Sequence, residues 1–404
     1  MGHTDRYAPA VLMEPLRDDP TELGRDDPMS GPSRPTVAIV APSLDILGGQ
    51  GVQARALVGH LRDDGYDVSL VAINPAFPAG LRWLRRYGYL RTVANQLFYL
   101  SSLRRLRRAD VVHIFSASYW SFLLAPLPAI VAGRLYGKRV VLNYHSGEAG
   151  DHLTRWGALV HPWLRMVDEI VVPSVYLRDV FARHGHQARA VRNVVDVSRF
   201  GYAERDPLLP RLVSTRNLEH HYQVENTLEA FALLKAHYPS ATLTVAGSGS
   251  QEARLKAIAR SLGVDGIRFV GRVEPEDMPR LYGEGHIFVN SSVVDNQPLS
   301  VLEALASGLP IVSTAAGDLA AMVRDGETGL VVPPGDPVAM AKAVAALLAD
   351  PERARGLVRR GRLEVDQYTW PRVRDQWARV YAGEPPPSTR DAEVRAAEGA
   401  GRSS

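Results

Sequence analysis

From Thr36 onward, short apolar runs alternate with longer stretches in which apolar residues recur every three or four positions. TVAIVAP, DVSLVAI, DVVHIFSA, RVVLNYH and EIVVPS are the first set of runs. Each is short, continuous and bounded by turn residues, which is what a parallel strand covered on both faces requires. The rhythm restarts near Pro210 with RLVST, ATLTVAG, IRFVG, HIFVNSS, LPIVS and GLVVPP, and helices are predicted between them over 224–238, 251–262 and 338–348. Strands alternating with helices of this length predict βαβ units and parallel sheets. The expected organisation is two Rossmann-like α/β halves, 36–192 and 210–368, joined by 193–209. A last helix is expected over 369–383. Residues 1–35 and 384–404, rich in Pro, Ser and charge, read as disordered tails.

Residues 295–313, DNQPLSVLEALASGLPIVS, read as a loop, a short helix and a buried strand. Pro298 suits a helix start, because the first helical N–H needs no partner. Gly308 can end the helix in a left-handed cap, and Pro310 prevents continuation. Glu303 is the only charged side chain between Pro298 and Thr314. A carboxylate in an apolar helix costs on the order of several kcal/mol unless donors surround it. Asp295 lies eight positions earlier, so the two acids can flank the helix start, where free N–H groups favour an anion. Sugar hydroxyls would supply the donors and a phosphate would meet the helix end. A Glu303 paired internally with Arg or Lys explains the same residues.

Composition narrows the class. The chain has 404 residues, 46% hydrophobic and 23% charged, the profile of a globular protein with room for large cores. Its formal net charge of +3 makes no case for nucleic acid, and its lack of cysteine excludes disulfides, thiolate metal sites and a Cys nucleophile. The N-terminus lacks the apolar core of a secretory signal. The most apolar long stretch, 119–133, is short and contains Pro126 and Pro128, which predicts a buried helix. A cytoplasmic protein is expected.

Further candidates stand just after strands, where open α/β sheets bind ligands. Gly48, Gly49 and Gly51 open the first helix and would admit a phosphate, or simply make a tight turn. His145 ends RVVLNYH and is either a sugar-facing imidazole or a structural one; His113 is read as structural. Arg216 follows RLVST and offers paired hydrogen bonds to a diphosphate, unless it pairs with Glu219 or Glu225. Gly247 and Gly249 in AGSGS suit a nucleotide or an ordinary turn. Asp63 and Asp64, at a helix end, read as a solvated face. No residues have metal-ligand spacing, and no G-x-S-x-G elbow is present. Residues 81–108 carry eight arginines and no acid, interleaved with Trp83, Tyr87, Tyr89, Phe98 and Tyr99. Such a segment can lie on an anionic membrane, bind a polyanionic acceptor, or cover the first sheet with its arginines in solvent.

The acid, seven residues and Glu303, followed by A-x-A-S-G-x-P-[IV]-V, resemble the donor-site motif of retaining GT-B glycosyltransferases of family 4. Asp295 replaces the family's usual Glu. RNVVDVSRF at 192–200 is similar to the family's interdomain segment through Asn193, Val195, Asp196 and Phe200. The resemblance covers about 36–381. It implies a GT-B fold, two doubly wound sheets facing a cleft, the first on the acceptor side and the second on the nucleotide-sugar side, with the last helix crossing back. It implies transfer of a sugar from a nucleotide sugar to an acceptor hydroxyl of a glycan or lipid-linked molecule, with retention, without a metal or other cofactor. His145, Arg216, Asp295 and Glu303 would act at the reacting sugar and diphosphate. Gly49, Gly51, Tyr222, Gly247, Val273, Asn296, Gln297, Pro298, Leu299 and Ser300 would complete the donor site. The family's lysine a few residues after the arginine is absent, and His220, His221 or Tyr222 stands in its place. The same scaffold can also serve a non-catalytic nucleotide-sugar-binding subunit or an epimerase, and a peripheral membrane location is compatible with the basic segment.

Overall fold

The computed structural model describes residues 34–43, 49–77, 80, 83 and 87–385. Those from Pro35 onward belong to one compact unit. Most of both expected tails, Gly48 and part of the basic segment 81–108 lie outside the described residues.

Among the described residues, twelve parallel strands form two six-stranded sheets. In the first, β1 (Val37–Ala41), β2 (Val68–Ala72), β3 (Val111–Ser116), β4 (Arg139–Tyr144), β5 (Glu169–Val172) and β6 (Arg189–Ala190) take the order β2-β1-β3-β4-β5-β6. In the second, β7 (Arg211–Ser214), β8 (Thr242–Ala246), β9 (Ile267–Gly271), β10 (Ile287–Asn290), β11 (Ile311–Thr314) and β12 (Leu330–Val332) take the order β12-β11-β10-β7-β8-β9. Every residue of β1, β3, β10 and β11 is buried, which explains why these strands read as unbroken apolar runs. Each large aliphatic side chain so buried contributes about 1.5–3 kcal/mol before the entropy of ordering it is subtracted. The strand order reverses between β1 and β3 and again between β7 and β10. At such switch points the connections leave in opposite directions and a crevice opens beyond the strand ends.

The helix Leu299–Ala306 starts one residue after the expected point, with Pro298 as its cap. Gly308 takes a left-handed φ of +74° and lies so close to Ala203 that an added Cβ would sit 2.7 Å from its carbonyl oxygen. Leu309 N–H then donates to Ala304 O, and β11 begins two residues later. The last helix, Trp370–Ala382, buries Val373, Trp377, Val380 and Tyr381 against Val37, Ile39 and Val141 of the first sheet. The Trp370 indole donates to Asp64 at 3.0 Å, so this acid is not part of a purely solvated face. The apolar stretch 119–133 is not one buried helix. Pro126 has no N–H to continue a helix, so the chain breaks at Ala125 into Trp120–Leu124 and Pro126–Leu135, and Trp120 is 67% exposed.

Candidate active site

A cleft of about 410 Å³ is lined by loops that follow β1, β3 and β4 on one wall and β7, β9 and β10 on the other. Gly49, His145, Arg216, Tyr222, Val273, Asp295, Asn296, Gln297, Pro298, Leu299, Ser300 and Glu303 all reach it. Both switch points therefore open on the same space.

Arg216 is the buried centre of the second wall. One terminal nitrogen donates to Asp295 Oδ2 at 2.6 Å and the other to Ser300 Oγ at 2.8 Å. Its guanidinium lies over the Tyr222 ring, 4.1 Å from the centroid. Burial alone would weaken its charge, but Asp295 outweighs that and holds the guanidinium above its usual range. The alternative partners are engaged elsewhere: Glu219 accepts from Ser250, and Glu225 pairs with Arg254 at 2.9 Å. Asp295 is thus committed to Arg216, where the sequence suggested an acid open to a sugar.

Glu303 has no ion-pair partner within reach among the described residues. Tyr282 donates to its Oε2 at 2.9 Å and itself takes a hydrogen bond from Thr215 at 2.7 Å. Burial among apolar neighbours raises the Glu303 carboxyl to about 7, with Tyr282 and then Arg199 acting against the rise. The internal ion pair entertained from the sequence is not found. Sequence reasoning missed Tyr282, which sits in the helix Met278–Glu284 and reads there as an ordinary core aromatic; its register against Glu303 is a tertiary fact.

On the first wall, His145 stacks on Phe115, with ring centroids 5.2 Å apart. Its Nε2 is buried with no hydrogen-bond partner among the described residues. Burial pushes the imidazole down to about 4, so it is neutral near pH 7. His113 is fully buried, accepts from Asn143 and contacts Tyr381 Oη at 2.9 Å. Both ring nitrogens are satisfied, in keeping with a structural residue.

Three candidate glycines, Gly51, Gly247 and Gly249, do not reach the cleft. Gly51 is buried inside the helix Gly49–Asp63. Gly247, at φ +142°, lies against the Arg216 carbonyl so closely that a Cβ would overlap it. The glycine-rich turn after β8 packs on the Arg216 segment, and Leu218 N–H donates to Ser248 O. Its glycines are required by that backbone approach, since a Cβ at Gly249 would overlap the Leu218 carbonyl oxygen.

Asn296 and Gln297 line the cleft, but their side chains tie the two halves together. Ser174 donates to Asn296 Oδ1 at 2.6 Å. Gln297 accepts from Asn193 N at 2.6 Å and donates to Pro173 O at 2.8 Å. Gln53, on the first helix, adds a reciprocal pair with the Val194 backbone. These fixed contacts set the spacing of the walls.

Comparison with known proteins agrees with this geometry. Residues 47–199 match the family described as Glycosyltransferase Family 4, and residues 205–364 match Glycosyl transferases group 1. A glycogen synthase of Mycobacterium tuberculosis is 31% identical over 290 residues, covering 68% of this chain and 69% of its own. A phosphatidyl-myo-inositol mannosyltransferase of Mycobacterium leprae is 25% identical, covering 83% and 90%. The solved structure of Anabaena HepE in complex with UDP-glucose superposes with a TM-score of 0.69 at 16% identity, covering 86% and 99%, which is a likeness of fold. The chain belongs to the family-4, group 1 glycosyltransferases and is a nucleotide-sugar-dependent enzyme of GT-B fold.

Proposed function

We propose that the cleft holds a nucleotide sugar with its diphosphate against Arg216 and its ribose on Glu303, and transfers the sugar with retention to a hydroxyl presented by the first wall. The observation that carries this is Glu303: a cleft-facing carboxyl, raised to about 7 by burial, has only the Tyr282 hydroxyl as a hydrogen-bond partner among the described residues. Two vicinal ribose hydroxyls would give it the donors it lacks, and ordering them in a dry cleft makes each charge-assisted bond worth about 1.5–3 kcal/mol. The diphosphate would meet Arg216 and the start of the helix Leu299–Ala306, whose dipole favours an anion. Bond cleavage at the anomeric carbon puts charge on the leaving diphosphate, and fixed donors aimed there stabilise the transition state. In this reading His145, neutral, donates to or accepts from a sugar hydroxyl near the reacting carbon, Asp295 bonds a sugar hydroxyl once phosphate competes for Arg216, and no side-chain nucleophile is used. No metal is assigned a role. Transfer assays on Arg216→Ala and Glu303→Ala test the reading: both should lose activity, and unchanged rates in both would refute it.

The acceptor is proposed to be lipid-linked, met at an anionic membrane surface. The support is the helix Gly88–Ser102, which exposes Tyr89, Leu90, Val93, Leu97 and Leu100. Four arginines follow in Leu103–Arg108. Tyr99 anchors the helix by donating to Ala125 O at 2.6 Å, close to the exposed Trp120. No helix among the described residues is long and apolar enough to cross a membrane, so contact would be at the interface. Flotation with liposomes should depend on anionic lipid and weaken in a Tyr89→Ser/Leu97→Ser double variant; flotation indifferent to both contradicts it.

A further inference from the structure

The donor wall is short of positive charge. Among the described residues, the cleft is lined by two arginines, Arg199 and Arg216, and by three carboxylates, Glu148, Asp295 and Glu303. Arg216 already spends one nitrogen on Asp295, and Arg199 donates to the Pro275 carbonyl. The sequence contains four lysines, at 138, 235, 256 and 342, and none lines the cleft. Lys235 is held by Ala241 O at 2.9 Å and by Asp265 at 3.1 Å. A nucleoside diphosphate sugar brings two phosphate charges into this setting. With Arg199 engaged at Pro275 and acting on Glu303, the half-neutralised guanidinium of Arg216 alone is a poor match for them.

His221 stands at the gap. It follows β7 by seven residues and lines the same cleft as Arg216. Its carbonyl accepts from Val293 N–H at 2.9 Å, which fixes it beside the start of the Val294–Ser300 loop. Its ring packs on Tyr222, with centroids 4.1 Å apart, and Tyr222 in turn carries the Arg216 guanidinium. His221, Tyr222 and Arg216 therefore form one contiguous row, with the His221 and Tyr222 rings tilted at 56°. The other cleft imidazole, His145, is buried and kept neutral, so it cannot supply the charge.

We propose that His221 provides the second positive charge of the diphosphate site, so that donor affinity is governed by its protonation. This rests on the donor-site reading above. An imidazole is the side chain whose charge changes between about pH 5 and 8. The charged and titratable groups around it are Glu219, His220 and Tyr222 on its own segment, Arg216 after β7, Asp295 after β10 and Glu148 after β4. Glu219, whose carboxylate is held below its usual range chiefly by Ser250, also feels the His221 charge. Asp295 is taken by Arg216, which leaves the His221 ring to an incoming phosphate.

The test is calorimetric binding of UDP-, GDP- and ADP-glucose to the full chain, followed by a pH series with the tightest binder. Nucleotide sugars are suited to it because both phosphates are esterified and keep their charge across this range. Glu303 titrates in the same window, so the quantity read is the ratio of wild-type to variant affinity, not either one alone. His221→Gln should bind about five-fold more weakly than wild type at pH 5.5 and within two-fold of it at pH 8.5. His221→Lys should bind at least as tightly as wild type at pH 5.5 and keep that affinity at pH 8.5. A His221→Gln ratio that is the same at both pH values overturns the proposal while leaving the donor site intact. No binding by any of the three nucleotide sugars overturns the donor-site reading itself.

Discussion

The two walls of the cleft bury their titratable groups in opposite ways. The second wall, which the proposed function gives to the donor, keeps its charges in pairs: Arg216 with Asp295, and Glu303 on the Tyr282 hydroxyl. The first half, which it gives to the acceptor, keeps buried imidazoles neutral. Burial lowers His113 to about 3 and His145 and His152 to about 4, while Tyr144 donates or accepts at His152 Nδ1, 2.8 Å away. The first arrangement is built to exchange an internal partner for a ligand; the second positions rings without charge. A diphosphate needs the former, and a neutral hydroxyl needs only the latter.

Breaking the donor wall at its centre should give the largest effect. Arg216→Ala removes the diphosphate contact and leaves Asp295 buried without a cation. Transfer should fall by about 10²–10³-fold, the scale for a donor aimed at developing charge. Stability should fall by about 3–5 kcal/mol, as when one member of a buried ion pair is removed. Chemical denaturation alongside the transfer assay separates the two. A variant that is as stable as wild type would mean that Asp295 does not depend on Arg216.

The acceptor half is sharpened by acid. The imidazoles of His113, His145 and His152 have folded pKa values below the ordinary value near 6.5, so between about pH 4 and 6.5 the unfolded chain binds more protons. Their contribution to stability is therefore full above about pH 6.5 and is lost as pH falls towards 4. About 2 kcal/mol per imidazole should be gone by pH 5. Melting temperature against pH reads this directly, and a curve flat from pH 7 to 5 contradicts it. Glu303 has the opposite sign: its carboxyl is raised, so its burial costs nothing at low pH and grows costly as pH rises from about 4.5 to 7.

The same contrast governs what the sequence could reveal. Eleven of the twelve strands are legible because each is a short, mostly apolar run between turn residues; two-sided burial accounts for β1, β3, β10 and β11, while β2 and β9 keep Ser69 and Arg268 exposed, and β6, with two residues, is too short to make a run. Glu303 is legible because a lone charge in an apolar helix demands an explanation. Arg216 is legible from its place after a strand. What could not be read is pairing. Whether Asp295 faces a sugar or an arginine depends on a loop closing across about 80 residues of chain. Tyr282 looks like core in any sequence window. Asn296 and Gln297 look like ligand-binding polars, and their side chains instead fasten the halves at Ser174, Pro173 and Asn193. Gly247 shows the same limit, since a glycine that admits backbone is indistinguishable from one that admits a nucleotide until the neighbour is known.

The central claim is that Glu303 is kept at a cost in the empty protein because the donor repays it. Glu303→Gln tests this in one paired measurement, melting temperature with and without the best-binding nucleotide sugar at pH 8. Without ligand the variant should be more stable than wild type by about 1–2 kcal/mol, after allowing for water in the cleft. With ligand the order should reverse, because a ligand that binds only the folded state stabilises in proportion to its affinity. A variant that is less stable when empty, or that is stabilised by the nucleotide sugar as much as wild type, would contradict the account.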